Sequence, residues 1–488
     1  MEITWIFHTF ATQKITRTMK HYLIALLAAL LSTAAAFSAP KTNGYKIDIE
    51  APQLKNDTVK LAMYFYDKIY VRDTVVLDSK GRGSFQKQKK LDEGVYVIFF
   101  SASKYFDVLV GAQQQFKIQV DTTDLVNKVL VSGAEQTEKF TDYIKFLGTQ
   151  RSKAESINND YEQSKDDADA TAALQEKMKA LDHEVTARQQ NIIDTYGDKT
   201  IGVVVKAIKP VELPKFEEGD STAQVKRYYY SRAHYFDNID LSEPRLLRTN
   251  ILPPKVATYL DKIIPQIPDT LTNEIVALVE KSRGDTLTFQ NMLGQMLNYG
   301  IKNKIMGMDK ITLTLSEKYY LSGLAKWADS TLLADLDREV RKIKYNQIGA
   351  NAPNLQMEKL DGTKIDISNI TADYVLLFFF EPSCGHCKKE TPLLHENVYK
   401  KYKEYPNFFE VIAFYTQTDR KEWNEFLDKH NLYDWVNVYD PERTSFFWHW
   451  YDTSTTPGLY LMNKERKIIA KKIDMETLDK ILEYEKKK

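Results

Sequence analysis

Tyr374-Val-Leu-Leu-Phe-Phe-Phe380-Glu-Pro-Ser-Cys384-Gly-His-Cys387 is the stretch that decides the fold. Tyr374–Phe380 is an unbroken apolar run. Such a run, without polar alternation, predicts a strand buried on both faces of a sheet. Glu381-Pro-Ser383 breaks it. Lys388–Tyr402 then places Leu394, Val398 and Tyr402 on one helical stripe. The order is strand, turn, motif, helix.

The chain has 488 residues and only two cysteines, both in the C-x-x-C at 384–387. A thiol at a helix start gains from the dipole and from unpaired N–H groups, which favour the thiolate. Cys384 is therefore the candidate nucleophile, and Cys387, one turn further in, is placed to resolve a mixed disulfide. His386, if protonated, adds positive charge beside the thiolate and makes the couple more oxidising. Other readings of the motif stay open. Half of a zinc site is one, but four ligands are needed and His183, His234, His395, His430 and His449 are dispersed. An inert staple is another, though so short a loop constrains the unfolded chain little. His395 and His449 read as packing or surface residues.

These residues resemble thioredoxin-fold thiol–disulfide oxidoreductases, and among them the exported TlpA/ResA-like group. The resemblance covers roughly residues 347–488. Pro392 matches the proline that kinks the active-site helix, and Thr456-Pro457 precedes a strand as the cis-proline of that fold does. A strand pair follows at Gly458–Met462 and Lys467–Ile473. Two departures stand out: Phe378 falls where thioredoxins keep a buried Asp, and Ser383 where they keep a Trp. Glu390 matches the acidic residue that ResA-like proteins hold near their cysteines, so the resemblance implies Glu390 as the substitute proton carrier. It also implies a catalytic pair Cys384 and Cys387, with Gly385, His386, Thr456 and Pro457 shaping the motif and the substrate groove. No cofactor beyond the Cys384–Cys387 couple and no metal are implied. The expected partners are exported proteins with thiols or disulfides, with a membrane electron donor if the net direction is reduction.

The N-terminus points to export. Tyr22–Leu31 is a short apolar core behind Lys14, Arg17 and Lys20, and Ser32-Thr-Ala-Ala-Ala36 offers small residues for cleavage. Residues 1–36 thus read as a signal peptide, with Met19 as the natural start. The core is too short for a membrane-spanning helix. No cysteine lies near the cleavage zone, which argues against a lipoprotein. The expectation is a soluble protein of the periplasm or another extracytoplasmic space. Cysteine economy fits an oxidising compartment, where stray thiols form wrong disulfides. Charges balance at 67 basic and 67 acidic residues, which argues against nucleic-acid binding.

The expected fold is multidomain: a thioredoxin-like α/β domain at 347–488, preceded by a small β-sandwich at 41–135 and an all-α domain at 136–340. Strands are expected at Tyr45–Glu50, Val59–Tyr66, Thr74–Leu77, Val95–Phe100, Tyr105–Val110 and Gln115–Val120, with a turn over Asp78–Gly83. Ser152–Asp194 reads as a helical hairpin broken near Asp166–Asp169. Prolines cut residues 199–340 into short helices whose aromatics are expected in the core. Asp73–Phe85, Tyr235–Leu241 and Tyr319–Trp327 resemble modules found ahead of thioredoxin domains in exported proteins of certain Gram-negative bacteria. A second class of function stays open: a cell-envelope binding protein in which the thioredoxin fold is scaffold. Metal capture by the two thiolates is a third.

Overall fold

The computed structural model describes residues 44–214 and 221–488, and the expected signal peptide at 1–36 lies outside them. Residues from Gly44 onward pack as one unit.

Eight strands open the described chain: β1 (Tyr45–Glu50), β2 (Thr58–Phe65), β3 (Lys68–Val76), β4 (Arg82–Lys87), β5 (Gly94–Phe99), β6 (Tyr105–Val110), β7 (Gln115–Val120) and β8 (Val129–Ser132). They form two four-stranded sheets, β4-β1-β7-β8 and β3-β2-β5-β6. Ile47, Phe85 and Ile118 of one sheet meet Leu61, Ile98 and Val108 of the other in a shared core. Alternation along each strand supplies these inward residues. Two strands escaped the sequence reading. β4 begins at Arg82, inside the stretch read as a turn, and β8 is short with only Val129 buried. β3 starts six residues earlier than expected because its exposed side chains carry no clear alternation.

The outer face of the second sheet is closed by helices. α1 (Glu135–Gln163) and α2 (Ala168–Tyr196) form a hairpin that breaks near the expected place but starts at Glu135, well before the expected Ser152, and α3 (Thr200–Ile208) follows. Asp167 caps α2 by accepting from the N–H groups of Asp169 and Ala170. Val95 and Leu109 pack against Phe140, Tyr143, Ile192 and Val205 of these helices. The chain continues through α4 (Ala223–His234), α5 (Leu252–Thr258), α6 (Pro268–Lys281), α7 (Thr286–Lys302), α8 (Asp309–Leu315) and α9 (Ser330–Ile343). Phe236, Tyr259, Tyr319 and Tyr320 lie in their core with Leu271, Ile275 and Leu293. α4 departs from that pattern. None of its residues is buried, and Tyr229 is 61% exposed. Lys226, Arg227 and Arg232 interrupt any apolar stripe that could bury it.

The last part is a seven-stranded sheet in the order β10-β9-β13-β12-β11-β14-β15. Its strands are β9 (Gln356–Lys359), β10 (Lys364–Asp366), β11 (Tyr374–Phe380), β12 (Phe409–Tyr415), β13 (Val436–Tyr439), β14 (Gly458–Met462) and β15 (Ile468–Lys471). β11 is parallel to β12 and antiparallel to β14. Its side chains alternate between two cores. Leu376, Phe378 and Phe380 meet Leu394, Val398, Tyr402 and Leu478 on one face, whereas Val375, Leu377 and Phe379 meet Phe447, Tyr451 and Tyr460 on the other. Burial of every side chain after Tyr374 explains the unbroken apolar run. This is a thioredoxin fold, reached through the C-x-x-C at the carboxyl end of its central strand.

One buried ion pair joins the helical part to the edge of this sheet. Lys471 of β15 donates to Asp309 of α8 at 2.5 Å and to Asn346 at 3.1 Å, and its side chain is 3% exposed. Burial holds the Lys471 ammonium below its ordinary range, against the pull of Asp309. Removing one partner of such a pair strands the other charge, at a cost of about 3 kcal/mol or more. Asp309→Ala is therefore expected to lower the thermal midpoint sharply. Asp309→Ala with Lys471→Met should recover most of the loss. Equal midpoints for the single and double variants would contradict this role.

Candidate active site

α10 (Gly385–Leu393) starts directly after Cys384, which is its N-cap residue. Cys384 has extended backbone angles, φ −69° and ψ 123°, and its Sγ accepts from the Cys387 N–H at 3.4 Å. Four N–H groups at a helix start lack internal partners, so the thiol sits where anions are favoured. Pro392 lies inside the helix, and a wider turn over Leu394–Tyr399 follows it, with the Lys400 N–H reaching back to His395 O. Proline supplies no N–H and crowds the preceding turn, which accounts for a distortion at this place.

The second wall of the site is the loop before β14. The Thr456–Pro457 peptide bond is cis, and the Cys384 thiol donates to the Thr456 carbonyl at 3.2 Å. Thus three sequence-marked positions, Cys384, Thr456 and Pro457, meet at one point. Gly385 and His386 are exposed at the helix start. A Cβ built on Gly385 would meet nothing within 4 Å, so no packing demand accounts for that glycine.

The two thiols differ in kind. Cys384 is half-buried and Cys387 fully buried, and both are free. Burial works against the Cys384 thiolate. A side-chain hydrogen bond from Thr456, the N–H and thiol of Cys387, and the N–H of His386 outweigh that burial, so Cys384 lies below the ordinary thiol value. His386 thus contributes through its backbone. For Cys387 burial dominates, the Glu381 N–H opposes it only in part, and the neighbouring Cys384 adds to the rise; the thiol is pushed up to about 12.

Glu390 is half-buried on α10, and its carboxylate has no hydrogen-bond or ion-pair partner among the described residues. Phe378 points into the core that contains Cys387, so that core has no acid at this strand position. Glu381 escaped the sequence reading. Its carboxylate accepts from Thr416 Oγ1 at 2.8 Å and Gln417 Nε2 at 3.0 Å, and its carbonyl accepts from the Cys384 N–H at 3.1 Å. The signal available in sequence was an acid at the very end of an apolar strand, directly before a proline. His395 is a packing residue: 2% exposed, it stacks near Tyr399 and pairs with Asp434 at 2.9 Å. His449 lies against Tyr345 and Trp450. Among the described residues no group of three or more His, Cys, Asp and Glu side chains gathers as metal ligands. No described helix is long and apolar enough to cross a membrane.

Residues 372–468 match the family model described as thioredoxin-like. The thiol-disulfide oxidoreductase ResA of Bacillus cereus is 28% identical over 138 residues, which is 28% of this chain and 76% of that protein. ResA of Bacillus subtilis is 29% identical over 121 residues, 25% of this chain and 64% of that one. Among solved structures, a thioredoxin-like protein from Bacteroides caccae is 21% identical, covering 57% of this chain and 99% of its own, with a TM-score of 0.43. The thioredoxin domain of a thiol-disulfide oxidoreductase from Bacteroides vulgatus is 24% identical, covering 28% of this chain and 96% of its own, with a TM-score of 0.26. The 372–468 match makes the C-terminal region a thioredoxin-like domain, and its homology to ResA oxidoreductases supports oxidoreductase activity. The sandwich and helical parts lie outside the 372–468 match.

The pKa split gives a direct expectation. Thiolate is the reactive form, so alkylation follows the ionised fraction. Iodoacetamide should modify Cys384 with a pH midpoint below that of an ordinary thiol. Cys387, with a pKa of about 12, should stay unmodified at neutral pH until the protein is unfolded. Peptide mapping after brief alkylation reads both; first labelling at Cys387 would reverse the assignment.

Proposed function

We propose that the chain is an extracytoplasmic thiol–disulfide oxidoreductase acting on protein disulfides through Cys384 and Cys387. The observation that carries this reading is the contrast between a half-buried, thiolate-favouring Cys384 and a buried, proton-holding Cys387 one turn away. A staple needs no such contrast, and a scaffold needs no reactive thiols. Kinship with ResA supports the same chemistry. The N-terminal apolar segment and the absence of other cysteines from the sequence support action outside the cytoplasm.

The steps follow from the two environments. The Cys384 thiolate attacks one sulfur of a substrate disulfide; that S–S bond breaks, and the other substrate sulfur leaves as a thiolate. Cys384 is now held in a mixed disulfide. Cys387 loses its proton and attacks Cys384 Sγ, the Cys384–Cys387 bond forms, and the second substrate thiolate leaves. The substrate gains two electrons and the protein loses two. Run backwards, the same steps oxidise a dithiol. Used as a reductase, the site needs re-reduction by an electron donor, and a membrane donor is the class that ResA kinship suggests. Pro457 and the Thr456 carbonyl shape the wall against which a substrate strand would lie. Glu390 is the proposed acceptor of the Cys387 proton, since it follows that cysteine by three residues on one helix.

Cys387→Ala removes the resolving thiol and leaves the nucleophile. Expressed in cells that export it, this variant should accumulate mixed disulfides with exported proteins, visible on non-reducing gels and lost on reduction. Absence of covalent adducts would argue for the binding reading. Glu390→Gln keeps shape and removes proton affinity. Positioned acid–base groups contribute on the order of 100-fold, so resolution should slow by about that factor while Cys384 alkylation stays unchanged. An unchanged resolving rate and pH profile would return Glu390 to a solvated surface role.

A further inference from the structure

Glu381 is tied to the motif from three directions. It is the first residue beyond β11, and its carbonyl closes a turn by accepting from the Cys384 N–H at 3.1 Å. Pro382, buried, occupies the second position of that turn, where proline's fixed φ suits the geometry. The Glu381 N–H is the backbone group that works against burial at Cys387. Its carboxylate reaches sideways to the end of the neighbouring strand, accepting from Thr416 Oγ1 and Gln417 Nε2. Thr416 is itself fixed: it is 8% exposed, and its N–H donates to the Phe380 carbonyl at 3.2 Å, just past the last β11–β12 pair. One side chain therefore joins the turn that seats both cysteines to the end of the buried strand β12.

We infer that Glu381 is a positioning residue for the resolving step: its carboxylate clamps the 381–384 turn to the end of β12 and so fixes the backbone groups that face Cys384 and Cys387. The inference rests on the exchange chemistry proposed above and deepens it. No charge of its own is required at the thiols. What matters is acceptance of two hydrogen bonds, and a glutamine oxygen accepts the same two. A proton-accepting role would instead need the ionisable carboxylate. The two roles separate on one substitution.

The test uses the full chain with Cys384 preloaded as the thionitrobenzoate adduct from Ellman's reagent. Attack by Cys387 on Cys384 Sγ forms the protein disulfide and releases coloured thionitrobenzoate, so single-turnover release reads resolution alone. Glu381→Ala should slow release roughly ten-fold, the scale set by losing a charge-assisted hydrogen bond. Glu381→Gln should stay within about two-fold of the parent, with the same pH profile, as expected where the acceptor and its geometry are kept. Should Glu381→Ala fail to fold, Thr416→Val combined with Gln417→Ala removes the clamp from the β12 side and should slow release similarly. Full speed in Glu381→Ala, or in the folded Thr416→Val/Gln417→Ala variant, overturns the inference. A Glu381→Gln variant as slow as Glu381→Ala, with a shifted pH profile, also overturns it and makes the carboxylate a proton carrier. No release by the parent protein would fail the exchange reading itself, and the clamp with it.

Discussion

The ordering of the two cysteine pKa values is the constraint on which the site depends. Both thiols sit in one turn, yet burial wins at one and loses at the other. Cys384 faces the open end of α10, where N–H donors and the Thr456 side chain outweigh a partial desolvation. Cys387 has its back to the strand core, where desolvation outweighs the Glu381 N–H and the Thr456 side chain that oppose it. In the exchange proposed above, this contrast sets the order: the half-buried Cys384 thiolate attacks first and the buried Cys387 thiol follows. Equal pKa values would leave no order to the steps.

The rest of the C-terminal region holds that arrangement still. β11 is buried on both faces, so it cannot shift without disturbing two cores at once. The turn after it is closed by the Glu381 carbonyl, and the opposite wall is fixed by the chain running from Tyr451 to β14. Tyr451 donates to the Pro353 carbonyl, and Asp452 pairs with Lys472, which secures that wall at its base. Further out, Lys471 binds the sheet edge to α8. A buried charge therefore adds to the contacts that hold the helical part against the edge of this sheet.

Much of this was legible in the residues. An unbroken apolar run gave the central strand because full burial leaves no polar positions. The C-x-x-C before a helical stripe located the site, and Thr456-Pro457 was marked by its place before a strand. β4 and β8 were hidden for a different reason. β4 is rich in polar and glycine residues, and β8 is four residues long, so neither offers the alternation that marks a strand. α4 misled in the opposite sense, since three consecutive tyrosines suggested burial where cations keep the helix in solvent. Glu381 offered only its place at the strand end, because its partners Thr416 and Gln417 lie about 35 residues away in sequence and become adjacent only once β11 and β12 pair. Local patterns report a residue's own environment; they do not report which distant side chain will arrive beside it.

In the function proposed above, Cys384 and Cys387 form a working redox couple and not an inert staple. Equilibration of the protein with glutathione buffers of graded potential tests it most directly, with the dithiol fraction read by alkylation. A working couple gives a reversible two-electron transition between about −270 and −120 mV, the span of thioredoxin-fold exchange proteins. A midpoint below about −300 mV, where structural disulfides resist the glutathione pool, would contradict it.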